Sequence, residues 1–440
     1  MKVLLFTLPA LFFCASVLSQ TLTIEEAVDY ALENSFELRQ TELDVADADA
    51  RISETLSTGL PKLNGNVRYQ YFPDVPNFLI PAQFTDPAAP EGSFIALPAG
   101  TDQSLSAALE LNALLFDGSF FVGLQAARVF KELTQKEGNE TRQEVRWNVK
   151  RAFYSALLAR DQMTELENNL ENLEKLLNET KALHREGFAE LLDVRRLELN
   201  YNSLKNQQNQ IERTRNLTEN ILKFQMGWPM DEPIEIEGDL NQMAGEWMVR
   251  SIDLEYDYSD RPDYAVMEVT SELADLNIKE IRMGYLPKLH AFANHNQNLQ
   301  RNKLFDSDEI GWLKTTSIGA TLSIPIFDGL EKRYRGQRAQ ISKLKVEEGK
   351  NQLRQAIDME VQNNYIEYQN AVSNLEEATE RTDLSEEIYQ TVLIKYREGL
   401  STSFELIQAE QDMFDARINQ LNALHRILET RAMVEKSMGR

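Results

Sequence analysis

Residues 104–115 read Ser-Leu-Ser-Ala-Ala-Leu-Glu-Leu-Asn-Ala-Leu-Leu. Leu105, Ala107, Leu109, Leu111, Ala113 and Leu115 take alternate places, with Ser104, Ser106, Ala108, Glu110, Asn112 and Leu114 between them. A period of two marks a strand with one apolar face. Lys62–Tyr71 repeats the pattern: Leu63, Gly65, Val67, Tyr69 and Tyr71 alternate with Lys62, Asn64, Asn66, Arg68 and Gln70. So does 317–326, where Ile318, Ala320, Leu322, Ile324 and Ile326 alternate with Ser317, Gly319, Thr321, Ser323 and Pro325. A fourth run is weaker, with Leu289, Ala291 and Ala293 against Lys288, His290 and Asn294, and Phe292 out of phase. Each run is about ten residues, the length that crosses a bilayer when tilted. A soluble sheet with one buried face gives the same alternation. Here, however, no other segment offers a large apolar face to cover four strands. Four strands cannot close a barrel, and an open edge is not tolerated in lipid. The chain is therefore expected to oligomerise through its strands, two copies giving eight and three giving twelve.

The strands belong to a duplication. Leu60-Pro61-Lys62-Leu63 recurs as Leu286-Pro287-Lys288-Leu289, and Leu115-Phe116-Asp117-Gly118 as Ile326-Phe327-Asp328-Gly329. Arg185-Glu186-Gly187 recurs as Arg397-Glu398-Gly399. The offsets are 226, 211 and 212, in the same order along the chain. Such ordered self-similarity indicates an internal repeat. The copies are placed at 20–225 and 261–440, joined by a linker at 226–260. In that linker Trp228, Pro229 and Pro233 argue against helix, and Ile234–Ile236 suits a short strand.

Each copy predicts a helix (Thr23–Ser57; Asp263–Met283), a strand pair, a very long helix and a returning helix. Thr23 with Glu26 fits a capping box. The long helices, Ser119–His184 and Leu330–Tyr396, start after Asp117 and Asp328, both good N-caps, and contain no Pro. The returning helices are Glu190–Phe224 and Ser403–Ser437. Val361, Tyr365, Tyr368, Val372, Leu375, Thr379 and Thr382 step by four and three, as do Met163, Leu166, Leu170, Leu173 and Leu177. Ile407, Phe414, Leu421, Leu424 and Leu428 fit the same stripe. This spacing packs helices side by side at shallow angles. The segment Phe72–Gln103 holds six of the 13 prolines and reads as a structured loop.

The ends and the composition narrow the class. Met1-Lys2, an apolar run from Val3 to Phe13 and cleavage near Ser19 make residues 1–19 a signal peptide. Cys14, the single cysteine, would leave with it, and Phe13 before it argues against lipidation. Of 440 residues, 46 are Lys or Arg and 70 are Asp or Glu, for a net charge of −24. That sign disfavours nucleic acid and anionic lipid and permits a cation-favouring interior. The four histidines, His184, His290, His295 and His425, show no zincin spacing, and there is no GxGxxG, P-loop or GxSxG. No enzyme activity, metal or cofactor is expected.

In order along the chain stand Leu22-Thr23-Ile24-Glu25-Glu26-Ala27, Ala31-Leu32-Glu33-Asn34, Arg261-Pro262-Asp263, the paired Leu-Pro-Lys-Leu and Phe-Asp-Gly motifs, and Tyr396-Arg397-Glu398-Gly399. With them the whole mature chain resembles the TolC-type outer-membrane efflux proteins. The resemblance implies an α+β membrane fold, internally duplicated, with four transmembrane strands per chain and a twelve-stranded barrel in a homotrimer. It also implies a long antiparallel α-helical periplasmic barrel. Such a protein is the outer-membrane exit duct of a tripartite efflux or type I secretion system. Its partners are a periplasmic adaptor and an inner-membrane pump of RND or ABC type. A periplasmic coiled-coil adaptor or scaffold is the alternative, although an adaptor has one helical hairpin and no bilayer-length strand pairs.

The Gly187 and Gly399 turns lie at the far ends of the long helices and are expected to form the inner mouth and the adaptor-docking turns. Six residues beyond each Gly stands a carboxylate, Asp193 and Glu405. By resemblance, Asp193 holds the closed mouth through Tyr396, and Glu405 lines the aperture. The family's second acidic position is Gln408 here, and its locking arginine is Ser401.

Overall fold

The structure is a computed structural model that describes residues 21–98, 100–303 and 311–440. The expected signal peptide lies outside the described residues, as do residues 304–310. In chain order come β1 (Thr21–Leu22), α1 (Ile24–Asn34), α2 (Phe36–Ser57), β2 (Lys62–Tyr71), β3 (Asn77–Pro81), β4 (Phe94–Pro98), β5 (Gln103–Phe116), α3 (Gly118–Arg185) and α4 (Leu191–Met226). Then follow β6 (Glu235–Ile236), α5 (Leu240–Val249), α6 (Pro262–Met283), β7 (Lys288–Arg301), β8 (Leu313–Ser323), α7 (Glu331–Arg397) and α8 (Ser403–Ser437). α3 and α7 are unbroken over 68 and 67 residues, and their returning helices over 36 and 35.

Three elements differ from the sequence expectation. The helix expected over Thr23–Ser57 breaks at Ser35, which is extended (φ −61°, ψ 144°). The Ser35 hydroxyl accepts from the Leu38 N–H at 3.4 Å, so its side chain starts a second helix instead of continuing the first. The linker does contain a helix, α5. The prolines that argue against one stop at Pro233, and Asp239 caps α5 by accepting from Gln242 N at 2.9 Å. Last, β8 ends at Ser323 and not Ile326, because Pro325 has no N–H for the ladder.

The chain divides into two compact units, and each draws on both sequence copies. One takes in the described residues up to Val45 together with Leu133–Glu268 and Glu348–Arg440. The other is Ala46–Glu132 with Val269–Glu347. The second unit holds a four-stranded antiparallel sheet in the order β2-β5-β7-β8. Its register gathers the expected apolar residues on one face: Leu63 opposite Leu111, Val67 opposite Ala107, Tyr69 opposite Leu105, Ala293 opposite Ile318, Leu289 opposite Leu322. Asn64, Asn66, Glu110, Asn294 and Ser317 occupy the other face. Phe292 also lies on that polar face, opposite Gly319. A Cβ on Gly319 would sit 2.7 Å from the Phe292 ring, so the aromatic fills the space glycine leaves. The register shifts between Leu114 and Phe116, making Leu115 the extra residue of a bulge. The proline-rich loop is a second hairpin, β3 with β4, joined through a 3-10 turn at Ala82–Phe84.

The first unit holds two cores. One gathers Ala27, Ala31, Val149, Phe153, Leu157, Leu222, Met226, Ile357, Val361, Ile427 and Val434. The other is Leu166, Leu173, Leu177, Val194, Leu197, Leu204, Leu406 and Phe414. The four-three stripes therefore face inward. β1 pairs in parallel with β6, and Arg160 donates to the carbonyls of Ile236 and Gly238 at 3.1 and 2.6 Å. α5 packs on α8.

The duplication is also present in backbone contacts that carry no shared motif. Gly227 (φ +71°) packs so close to Asn34 that a Cβ would lie 2.3 Å from its carbonyl oxygen. Gly439 (φ +83°) does the same against Asp260, at 2.7 Å. The glycines are 212 residues apart and their partners 226 apart, the offsets of the sequence motifs.

Candidate functional site

The two helix turns are built alike. At the first, the Gly187 N–H donates to His184 O at 3.0 Å and the Phe188 N–H to Leu183 O at 2.8 Å. At the second, Gly399 donates to Tyr396 O at 3.0 Å and Leu400 to Lys395 O at 2.8 Å. This is the Schellman arrangement, with glycine in the left-handed region at φ +81° and +72°. Phe188 and Leu400, the residues just past each glycine, are 82% and 77% exposed. An apolar side chain there commonly folds back onto its own helix. Here both point outward, and Leu191, Leu192 and Phe404 beside them are also exposed.

The carboxylates six residues on begin the returning helices. Glu190 caps α4, and the Asp193 carboxylate accepts from the Glu190 N–H at 3.3 Å. Thr402 caps α8, accepting from Glu405 N at 3.2 Å while Glu405 accepts from Thr402 N at 3.1 Å. Both acids are thus the third residue of a capping box, where a negative charge also suits the helix dipole. Ser401 donates to Glu405 at 2.5 Å. That hydrogen bond, followed by the one from Thr402 N–H, holds the exposed Glu405 carboxyl below its ordinary range. Gln408 donates to Asp412 at 3.0 Å.

The expected bond between Tyr396 and Asp193 is not formed. The Tyr396 hydroxyl lies 3.3 Å from the Thr180 hydroxyl on α3. Burial, opposed by that bond and helped by the charge of Asp193, raises its pKa. Asp193 instead accepts from Ser403 at 2.5 Å, and Arg196 donates to the same hydroxyl at 3.5 Å. The physical reason is position: Ser403 opens α8 directly against α4, and Tyr396 is the last large residue of the α7 stripe, turned to the α3 side.

One turn further along, Asn200 donates to Glu410 at 2.9 Å, and Gln411 to Asn200 at 3.4 Å. The faces of α4 and α8 that meet therefore carry polar layers, Asp193, Arg196 and Asn200 against Ser403 and Glu410. The sequence held this signal in its spacing: Asp193, Arg196 and Asn200 step by three and four, the spacing of a buried stripe. Among the described residues no cluster of His, Cys, Asp and Glu is placed to hold a metal ion. No helix of the described residues is long and apolar enough to cross a membrane.

A duplicated chain, a sheet with one apolar and one polar face, and matching helix-turn-helix hairpins define a class, the channel subunits of outer membranes. The sequence pattern of that class, described as "Outer membrane efflux protein", matches residues 27–227 and 258–440, and the chain belongs to this family. Outer membrane protein TolC of Salmonella enteritidis is 19% identical over 451 residues, covering 96% of this chain and 83% of the relative. CusC, whose structures concern folding and transmembrane channel formation, superposes with a TM-score of 0.72 at 17% identity, covering 94% of this chain and 91% of its own. VceC of Vibrio cholerae gives 0.68 at 14% identity, covering 94% and 96%. The chain is a TolC-family protein of the outer membrane, and its relatives are channel proteins, not enzymes.

Proposed function

We propose that three copies close their sheets into one barrel and that the protein is the exit duct of a tripartite efflux or type I secretion system. The observation that carries this reading is the sheet itself. It has one face of Leu, Val, Ala and Tyr, and two outer strands, β2 and β8, with no partner among the described residues. β2 and β8 run in opposite directions, so β8 of one copy can pair antiparallel with β2 of the next. In this reading the apolar face meets lipid and the polar face, with Asn64, Asn66, Glu110 and Asn294, lines water. The Gly187 and Gly399 turns form the periplasmic mouth, and exposed Phe188 and Leu400 meet a periplasmic adaptor bound to an RND or ABC pump.

At the mouth, Glu405 faces the axis, and Asp193 and Tyr396 restrain it through separate partners, Ser403 and Thr180. The test is conductance of the purified oligomer in planar bilayers. Asp193→Ala and Ser403→Ala should each raise conductance and together add little, because they remove one bond. Tyr396→Phe should add to either. Glu405→Gln should weaken cation preference. A protein that forms no channel, or four variants that all conduct like wild type, would refute the duct and the mouth respectively.

A further inference from the structure

Glu410 is the least expected residue of the α4–α8 seam. Its side chain is buried, with 4% of the residue exposed, in the core formed by Leu197, Leu204, Leu406 and Phe414. One carboxyl oxygen accepts from Asn200 at 2.9 Å, and the other is buried with no hydrogen-bond partner. α4 presents Asn200 to it, with Asp193 and Arg196 one layer nearer the turn and both engaged with Ser403. α7 presents the phenol of Tyr389, which feels the charge of Glu410. The helix α3 contributes Leu166, Leu173 and Leu177, and α8 itself Gln411. The guanidinium groups whose charge reaches Tyr389 are already taken: Arg417 binds Glu165 and Glu386 at 3.3 and 2.8 Å, and Arg397 binds Glu179 at 3.4 Å. No cation is paired with Glu410 among the described residues.

A carboxylate without a counter-charge in such a place is costly, whereas a neutral carboxylic acid is not. We propose that Glu410 is a proton-dependent latch: neutral, it holds α4 against α8 beside the turns, and ionised, it lets the two helices part. Burial pushes its pKa up to about 7, against the hydrogen bond from Asn200 that opposes the rise. In the parted state water restores an ordinary carboxyl. The packed state thus binds its proton more tightly. Its advantage is complete in acid, falls as pH rises from the ordinary carboxyl range towards 7, and is lost above it. The inference deepens the duct reading in one respect only: that parting this seam opens a mouth rests on that reading, whereas the parting itself does not.

Hydrogen exchange of the full mature chain in detergent, corrected for the intrinsic pH dependence of exchange, measures the parting directly. Peptides covering the start of α4 and of α8 should open on the order of 20-fold more readily at pH 7.5 than at pH 5.5, by the linkage between the two carboxyl states. Peptides from the core around Phe153 should show no such step. Glu410→Gln keeps the shape and the bond to Asn200 but cannot ionise, so its seam should be indifferent to pH. Asn200→Ala removes the one bond that favours the ionised form and should move the step to higher pH. A wild-type seam without a step, a step that survives in Glu410→Gln, or a midpoint unmoved in Asn200→Ala overturns the latch. Conductance recorded across the same pH range separates the two ideas: a step in exchange without one in conductance keeps the latch and refutes the mouth.

Discussion

Gly227 and Gly187 both lie in the left-handed region, yet they answer different needs. Around Gly187 nothing stands within 4 Å of where a Cβ would be, so alanine meets only the backbone penalty of its φ of +81°. That penalty is about 1 kcal/mol. At Gly227 alanine meets the same penalty and also a carbonyl oxygen at 2.3 Å, closer than any real Cβ contact. Gly227→Ala should therefore destabilise clearly more than Gly187→Ala, by a further ~1–3 kcal/mol of strain. Thermal melts followed by circular dichroism of both variants would show it; equal melting points would mean that Asn34 yields without cost. Gly439→Ala should behave like Gly227→Ala. The sequence made Gly187 and Gly399 easy to find, because a helix stop with Arg-Glu before it can be seen locally. Gly227 and Gly439 could not be found that way, since the carbonyls that require glycine, Asn34 and Asp260, are brought to them only by folding. The partner of Tyr396 was hidden for a similar reason. Thr180 and Asp193 both lie beside it, and which of them its hydroxyl meets depends on a few ångströms of helix rotation.

At the scale of elements the pattern was far more legible. Periods of two and of three-and-four residues report directly which side of a strand or helix is apolar, and α8 begins and ends where its cap and its stripe place it. Elements failed where one side chain decides. Ser35 breaks a helix that propensity alone would continue, and Asp239 starts one in a linker where Trp228, Pro229 and Pro233 argue against helix. The sheet register now allows the facing of the strands to be tested. Leu109 and Leu322 stand on the apolar face, Asn66 and Ser106 on the polar one. Arginine at either leucine should cost about 2–4 kcal/mol if that face meets lipid near the midplane. Arginine at Asn66 or Ser106 should cost little. The readout is heat-modifiable migration of the oligomer in detergent, and equal loss from both pairs would remove the facing assignment. Phe292 gives a finer test. Phe292→Ala exposes the backbone around Gly319 and leaves the polar face without its filler, so it should loosen the β7–β8 pairing even though it removes an apolar group from a wet surface.

For the whole molecule the decisive question is what satisfies the outer edges of the sheet. An edge in lipid leaves backbone N–H and C=O groups without water or partner, each a loss of several kcal/mol. The direction in which those groups point can be read from β2. The Phe72 N–H donates to Asp102 O at 2.7 Å, and the Arg68 carbonyl lies within 3.5 Å of the Ser106 hydroxyl, so the even-numbered residues turn their backbone groups towards β5. In an antiparallel ladder the odd-numbered ones then turn theirs outward. Val67, near the middle of β2 and 77% exposed, is such a residue. Val67→Pro removes one outward N–H and blocks close approach of another strand on that side, while the pairing of β2 with β5 loses nothing at that position. Val67→Ala trims the same side chain and keeps the N–H. If copies join edge to edge, Val67→Pro should shift the protein from oligomer to monomer in size-exclusion chromatography with light scattering, and Val67→Ala should remain oligomeric. Arg68→Pro provides the opposite control, because it strikes the inward ladder and should disturb the sheet of a single chain as well. An oligomer that survives Val67→Pro unchanged would mean that the copies associate through their helices, and that β2 is covered by something other than a neighbouring strand.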